Sequence, residues 1–322
     1  MKTPPRHLVF AIPVFNEHLV FPTLIARLAE TRARLAPHKC TVVLADDGST
    51  DATSALLEDA SRRDEWICPV FLSRNFGHQA ALTAAIDAAR GLGPDAVITL
   101  DGDLQDPPEL AVELVAAWEA GAKVVIARRR SRQDTGLRRL GMDVFHHLFG
   151  RISDFPLEPD TGTFGLLDRE AIDALAQLPE RHRFFPGLRA WVGFPRAEVL
   201  YDRAAREAGE PKQTLRRLFR YAADAVFGFS YLPLRALTWI GLAACAAGFV
   251  IATYFIFKRL LGQESAFTGF TTLVSLTLFL GGAQLAALGV AGEYIARIYD
   301  EVKRRPLYLL RSGADPRGGT RN

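Results

Sequence analysis

The residues best suited to chemistry stand in Asp101-Gly102-Asp103-Leu104-Gln105-Asp106, directly after the apolar run Ala96–Leu100. Two carboxylates two residues apart at a strand end converge on one hard cation. Mg2+ and Mn2+ prefer oxygen ligands, and Mg2+ typically takes few protein carboxylates and completes its shell with water and substrate phosphates. A cation held there against a diphosphate neutralises the charge that develops as a nucleotide leaves. Asp101 and Asp103 are therefore candidate metal ligands, and Asp103 is expected to be indispensable. A second acidic cluster, Asp46-Asp47-Gly48-Ser49-Thr50-Asp51, follows the apolar run Thr41–Ala45. Carboxylates, a glycine turn and a helix start suit a base, a ribose and phosphate oxygens. A helix cap at Ser49 or Thr50 is expected, but a cap does not account for the two preceding acids. Asp46 or Asp47 is placed to accept the N–H groups of uracil or guanine.

The elements that must position these residues alternate. Leu8–Val14, Thr41–Ala45, Val70–Leu72, Ala96–Leu100 and Lys123–Ala127 read as strands, and Val20–Leu35, Thr50–Arg63, Gln79–Ala89 and Pro107–Ala120 as helices. Such alternation predicts an α/β domain with a mostly parallel sheet covered on both faces. Ligands of such sheets bind beyond the carboxyl ends of the strands. Four polar clusters sit at those ends: PVFNE after the first strand, DDGST after the second, SRNFGH after the third and DGDLQD after the fourth. Ser73 and Asn75 in the third cluster join the candidate nucleotide-sugar set. A dehydrogenase reading fails, because no Gly-x-Gly-x-x-Gly follows the first strand. His78, His146, His147 and His182 show no ligand spacing.

Composition shifts along the chain. The 322 residues are 49% apolar and 23% charged with a net charge of +3, so bulk charge does not point to nucleic acid. Three cysteines without metal spacing point to incidental thiols in a reducing compartment. The N-terminus has no basic tip followed by a long apolar run, so residues 1–230 are expected to stay in the cytoplasm. Ala236–Phe257 and Ser265–Gly292 carry no charge and are long enough to cross a hydrocarbon layer of about 30 Å. A buried helical hairpin is the alternative. Arg216, Arg217, Arg220 and Arg235 precede these runs, and Arg297, Lys303, Arg304 and Arg305 follow them. The positive-inside rule then places both termini in the cytoplasm. Lys212–Phe229 is amphipathic and basic, as expected of a helix lying in the interface or packed on the first domain.

PVFNE, ADDGSTDAT, LSRNFGHQAAL and DGDLQDPPE, followed by DTGTF, ERHRFFPGLRAWVGF and GVAGEYIARIYDEVKRRPLY, together resemble the family 2 glycosyltransferases, and within them the polyprenyl-phosphate glycosyltransferase group that includes bactoprenol glucosyltransferases and dolichol-phosphate mannose synthase. The resemblance implies a Rossmann-like nucleotide-sugar-binding domain of the GT-A type over residues 1–210. It implies an amphipathic juxtamembrane helix at 211–231, a two-helix transmembrane hairpin at 232–296 and a cytoplasmic tail at 297–322. The implied activity is inverting transfer of a sugar, by default glucose, from a UDP-sugar to polyprenyl (undecaprenyl) phosphate at the cytoplasmic face of the inner membrane. A homotetramer is implied as well.

Position by position, the resemblance assigns Pro13, Val14, Asn16, Glu17 and Asp46 to the base and ribose. It gives Asp101, Asp103 and Gln105 to a Mg2+ or Mn2+ ion and the diphosphate, and Arg129 and Arg132 to the lipid phosphate. Arg128, Arg130 and Arg138 lie close by in register, and Arg138 joins the expected phosphate set. The family pattern Asp-x-Gly-Asp-Phe-Arg reads here Asp160-Thr-Gly162-Thr163-Phe164-Gly165, without the second acid and the arginine. Asp160 remains the candidate for orienting the sugar or assisting the acceptor in the loop that faces the sugar. A processive polysaccharide synthase is the rival enzyme, but its Gln-x-x-Arg-Trp motif and extra spans are missing. A catalytically silent membrane scaffold is the rival of another class.

Overall fold

The computed structural model describes residues 4–130, 161–181, 183–202, 232–261 and 270–311. Arg132, Arg138, Asp160 and the amphipathic stretch Lys212–Phe229 lie outside the described residues. The chain divides into two compact units, Met1–Arg220 with Arg305–Asn322, and Tyr221–Arg304.

The first unit is built on β1 (His7–Val14), α1 (Phe21–Arg34), β2 (Lys39–Asp46), α2 (Thr53–Arg63), β3 (Ile67–Phe71), α3 (His78–Gly91) and β4 (Ala96–Thr99). A 3-10 turn at Pro108–Leu110 leads into α4 (Ala111–Glu119), and β5 (Val124–Arg129) follows. Then come β6 (Thr161–Asp168), α5 (Arg169–Leu175), α6 (Phe185–Trp191) and β7 (Arg196–Tyr201). The seven strands lie in the order β3-β2-β1-β4-β6-β5-β7. β1 runs parallel to β2 and β4, β2 to β3, and β5 to β7, so the sheet is mostly parallel as expected. β1 shows why: seven of its eight residues are buried, as a central strand covered on both faces requires.

Two features depart from the sequence reading. The DTGTF segment is not a loop beyond Asp160, because Thr161–Asp168 forms β6, antiparallel to both β4 and β5. Its Thr-Gly-Thr-Phe-Gly-Leu-Leu residues lie between β4 and β5, and Thr163–Asp168 are buried there, as a central strand requires. Gly165 is needed there, since a Cβ would stand 2.4 Å from the Val125 carbonyl oxygen. The second departure is at the β3 edge. There the chain after the last helix returns, with Leu310 bridging Leu72 and Ser73 N–H donating to Leu309 O at 2.8 Å. Tyr308 and Arg311 fasten this return through Asp87 at 2.9 Å and Glu58 at 2.7 Å.

The second unit contains α7 (Leu232–Leu260) and α8 (Phe270–Lys303), of 29 and 34 residues. At about 1.5 Å per residue both exceed the hydrocarbon thickness. Trp239, Phe249, Phe279 and Leu285 are each at least 70% exposed. Among the described residues, Phe279–Lys303 is the one helical segment long and apolar enough to cross a membrane, and Ala236–Ile251 is a shorter apolar stretch. The first expected run lies within α7. The second begins in residues outside the described set, and the apolar segment of α8 continues past its expected end.

Candidate active site

The register of β1 with its neighbours assembles the site. Val14 stands opposite Asp46, and Ala11 opposite Thr99, so the loops after β1, β2 and β4 emerge side by side. The β4 loop lies flush on β1: a Cβ on Gly102 would sit 2.7 Å from Val14 Cγ1 and 3.1 Å from Pro13 O. Pro13 and Val14 are thus the buried floor under the acidic loop. Asn16 and Leu104, at φ +53° and +59°, are non-glycine residues held in the left-handed region, one in each of these loops. Strain of this kind persists only where the surroundings over-determine it, and it clusters at functional sites.

The β1 and β2 loops are tied together. Asn16 N–H donates to Ser49 Oγ at 3.0 Å, and Asn16 Oδ1 accepts from Thr50 N–H at 2.9 Å. Glu17 N–H donates to Thr53 Oγ1 at 2.9 Å. Asp46, buried, accepts from Ser49 N–H at 3.0 Å and from the Ser54 hydroxyl. Asp47 is committed to the next loop: its two oxygens accept the Phe76 and Gly77 N–H groups at 2.7 and 2.9 Å. Burial pushes the Asp47 carboxyl above the ordinary carboxylate range, and these two donors counter only part of that. Gly48, at φ +67°, leaves the space that the Arg74 backbone fills, 2.5 Å from where a Cβ would be. Ser73 and Asn75 are exposed on that same β3–α3 loop.

Asp101 and Asp103 are both partly exposed. Asp101 Oδ1 meets His78 Nε2 at 2.9 Å and accepts the Thr163 hydroxyl at 3.0 Å. Asp103 Oδ1 accepts Gln105 N–H at 3.1 Å. Desolvation works against the His78 cation, but the Asp101 carboxylate, with Asp103 and Asp47, outweighs it and raises the histidine above its usual value. Sequence spacing did not single out His78. It ends the SRNFGH cluster, and only the sheet order brings it to Asp101. Thr163, which stands where the family pattern has its second acid, offers Asp101 a donor instead of a like charge.

Among the described residues no three or more His, Cys, Asp or Glu form a complete metal cage. The donors at hand are two carboxylates and the Gln105 amide, all oxygen, on one loop. That set fits a hard divalent cation whose shell is completed by water and phosphate oxygens.

The basic run at the end of β5 divides by strand alternation. Arg128 pairs with Glu198 at 3.0 Å, and Arg130 with Asp202 at 3.9 Å. Arg129 turns instead to Tyr201, its Nε donating to the phenolic oxygen at 3.3 Å. Burial works against the Arg129 charge, and Tyr201, Asp106 and Asp101 more than offset it. A further arginine, Arg189 on α6, is almost wholly buried, with its guanidinium on the carbonyls of Gly162 and Phe164 at 3.2 and 3.4 Å. It lies in the ERHRFFPGLRAWVGF segment, but the sequence did not mark it out from the other arginines there.

Known proteins show what this chain is similar to. The family Glycosyl transferase family 2 matches residues 9–175. An uncharacterized glycosyltransferase of Synechocystis is 43% identical over 94% of both chains. The SfII prophage-derived bactoprenol glucosyl transferase of Shigella flexneri is 38% identical over 93% of this chain and 96% of its own. Among solved structures, mannosyl-3-phosphoglycerate synthase from Rubrobacter xylanophilus aligns over 73% of this chain and 75% of its own, at 21% identity and a TM-score of 0.47. A match over more than half the chain, and relatives above a third identical along nearly all of it, place the protein in glycosyl transferase family 2, as a glycosyltransferase.

Proposed function

We propose that the enzyme transfers a hexose, glucose by default, from a UDP-sugar to polyprenyl phosphate at the cytoplasmic face of the membrane. The observation that carries this reading is the acidic loop Asp101–Asp106 seated on the end of β1, beside the Asp46 loop and in one sheet with Arg129. The bactoprenol glucosyl transferases, similar along nearly the whole chain, supply the substrate class. We assign α7 and α8 as a two-helix membrane hairpin, with the first unit and the tail in the cytoplasm.

In this reading Pro13, Val14, Asn16, Glu17 and Asp46 shape the base and ribose site, with Ser73 and Asn75 on its rim. Asp47 acts by holding the β3–α3 loop. Asp101, Asp103 and Gln105 would hold Mg2+ or Mn2+, which when bound supplies charge neutralisation at the diphosphate. His78 and Thr163 fix Asp101. Arg129, with Arg132 and Arg138, receives the acceptor phosphate. One oxygen of that monoester attacks the anomeric carbon in line, the bond from that carbon to the UDP oxygen breaks, and UDP leaves with its electron pair. The nucleophile is already anionic at neutral pH, so it needs little help from a general base, unlike a sugar hydroxyl. Asp160 then orients the sugar. Holding both partners in place makes the encounter effectively unimolecular.

The test is a panel of nucleotide-sugars offered with undecaprenyl phosphate, reading radiolabel in the organic phase. Label that reaches the organic phase only with the lipid present supports the reading. Label in free sugar or in water-soluble polymer, whatever the lipid, refutes it.

A further inference from the structure

Asp106 closes the acidic DGDLQD run, yet it is only 1% exposed, whereas Asp101 and Asp103 are partly exposed. Its Oδ1 accepts the Tyr201 hydroxyl at 2.5 Å, and that hydroxyl in turn accepts Arg129 Nε–H at 3.3 Å. Tyr201 is 5% exposed and stands opposite Arg129 in the β5–β7 register. Its ring meets Phe164 of β6 edge-on, with centroids 5.7 Å apart. The loop after β4, the end of β5 and the middle of β6 thus close around one phenol at the end of β7. With Nε occupied, the plane of the guanidinium is set, and its Nη1–Nη2 edge is the fork that matches a phosphate. Gly162 of β6 lies alongside: a Cβ there would stand 3.4 Å from Arg129 Nη2, in ordinary van der Waals contact.

We propose that Asp106 and Tyr201 are positioning residues for Arg129, a buried carboxylate–phenol–guanidinium chain that ties the donor's acidic loop to the cation receiving the acceptor phosphate. The inference rests on the function proposed above and deepens it. A guanidinium anchored at one nitrogen presents a fixed fork to an anion, whereas a free one must lose rotamer freedom on binding. The acidic loop therefore aims the acceptor's cation as well as serving the diphosphate.

Tyr201→Phe removes only the hydroxyl and keeps the ring on Phe164. In the full-length enzyme, with polyprenyl phosphate varied, it should raise the acceptor KM about five- to ten-fold, the effect of one typical hydrogen bond. The donor KM should stay within about two-fold of wild type. Arg129→Ala should raise the acceptor KM further, and adding Tyr201→Phe to it should change nothing more, because the two act as one unit. Should Tyr201→Phe not fold, Asp106→Asn serves instead: it keeps an oxygen acceptor but loses the charge, and should raise the acceptor KM about five-fold, the difference between a charged and a neutral hydrogen bond, with the same sparing of the donor. Equal changes in donor and acceptor KM, or effects that multiply with Arg129→Ala, overturn the inference. So does an unchanged acceptor KM in an active variant, which leaves the proposed function standing. A wild-type enzyme that makes no lipid-linked sugar removes that function, and the inference with it.

Discussion

Replacing Gly102 by alanine adds one methyl group where the acidic loop rests on β1. That carbon would stand 2.7 Å from Val14 Cγ1 and 3.1 Å from Pro13 O. Carbon atoms at rest lie about 3.5–4.0 Å apart, so relief requires a shift of roughly 1 Å. Val14 is 2% exposed and β-branched, with little freedom to turn away, and Pro13 O is backbone. The loop carrying Asp101 and Asp103 is what must move. Overpacking of this kind costs about 1–3 kcal/mol, a few degrees in melting temperature for a unit of this size. A displacement of about 1 Å at a reacting centre lowers turnover by up to about a hundred-fold. The assay is transfer to polyprenyl phosphate alongside a thermal melt of the purified protein. Val14→Ala removes the clashing methyl, so the double variant should recover part of the lost activity. Wild-type turnover and melting in Gly102→Ala would refute the claim that this contact sets the loop, and failure of Val14→Ala to restore anything would refute its stated cause.

Asp103→Ala should abolish most transfer, and in the wild type a chelator should do the same until Mg2+ or Mn2+ is restored; activity that survives both removes the metal assignment. Asp47→Ala leaves the partly buried Phe76 and Gly77 N–H groups without their acceptor, at about 1 kcal/mol each, and should raise the donor KM while sparing the acceptor KM. Asp168 caps α5 through Glu170 N–H and accepts Trp118 Nε1–H and Lys123 Nζ–H at 2.8 and 3.1 Å. Burial pushes its carboxyl up, but these donors outweigh burial and hold it below the ordinary carboxylate range. A depressed folded-state pKa means stability that is present above the unfolded value, about 3.9, and is lost as pH falls through the folded one. Asp168→Asn should therefore melt earlier than wild type at pH 7, with the gap closing as pH drops below about 4; a gap that stays constant would contradict it.

Much of the donor side was legible because its signals are local. An unbroken apolar run such as Leu8–Val14 reports burial on both faces, and a polar cluster after each run reports a strand end. Asp101 and Asp103 need only their own spacing to be recognised. The later strands were harder. Thr161–Asp168 has the composition of a loop at its start, and its antiparallel insertion between β4 and β5 depends on partners more than thirty residues away along the chain. The basic run was ambiguous for the same reason: four arginines within 128–132 look alike until Glu198 and Asp202 take Arg128 and Arg130.

By itself the order of residues determined the alternating α/β plan, the acidic loops at the strand ends and the apolar second half, since each follows from short-range periodicity and side-chain chemistry. Only the tertiary structure decided which groups meet: His78 and Thr163 on Asp101, Asp47 on the β3–α3 loop, Tyr201 between Asp106 and Arg129, and the returning chain on the β3 edge. Hydrogen bonds form over about 3 Å of space whatever the distance along the chain, and strand order, set by the packing of the whole sheet, chooses those neighbours.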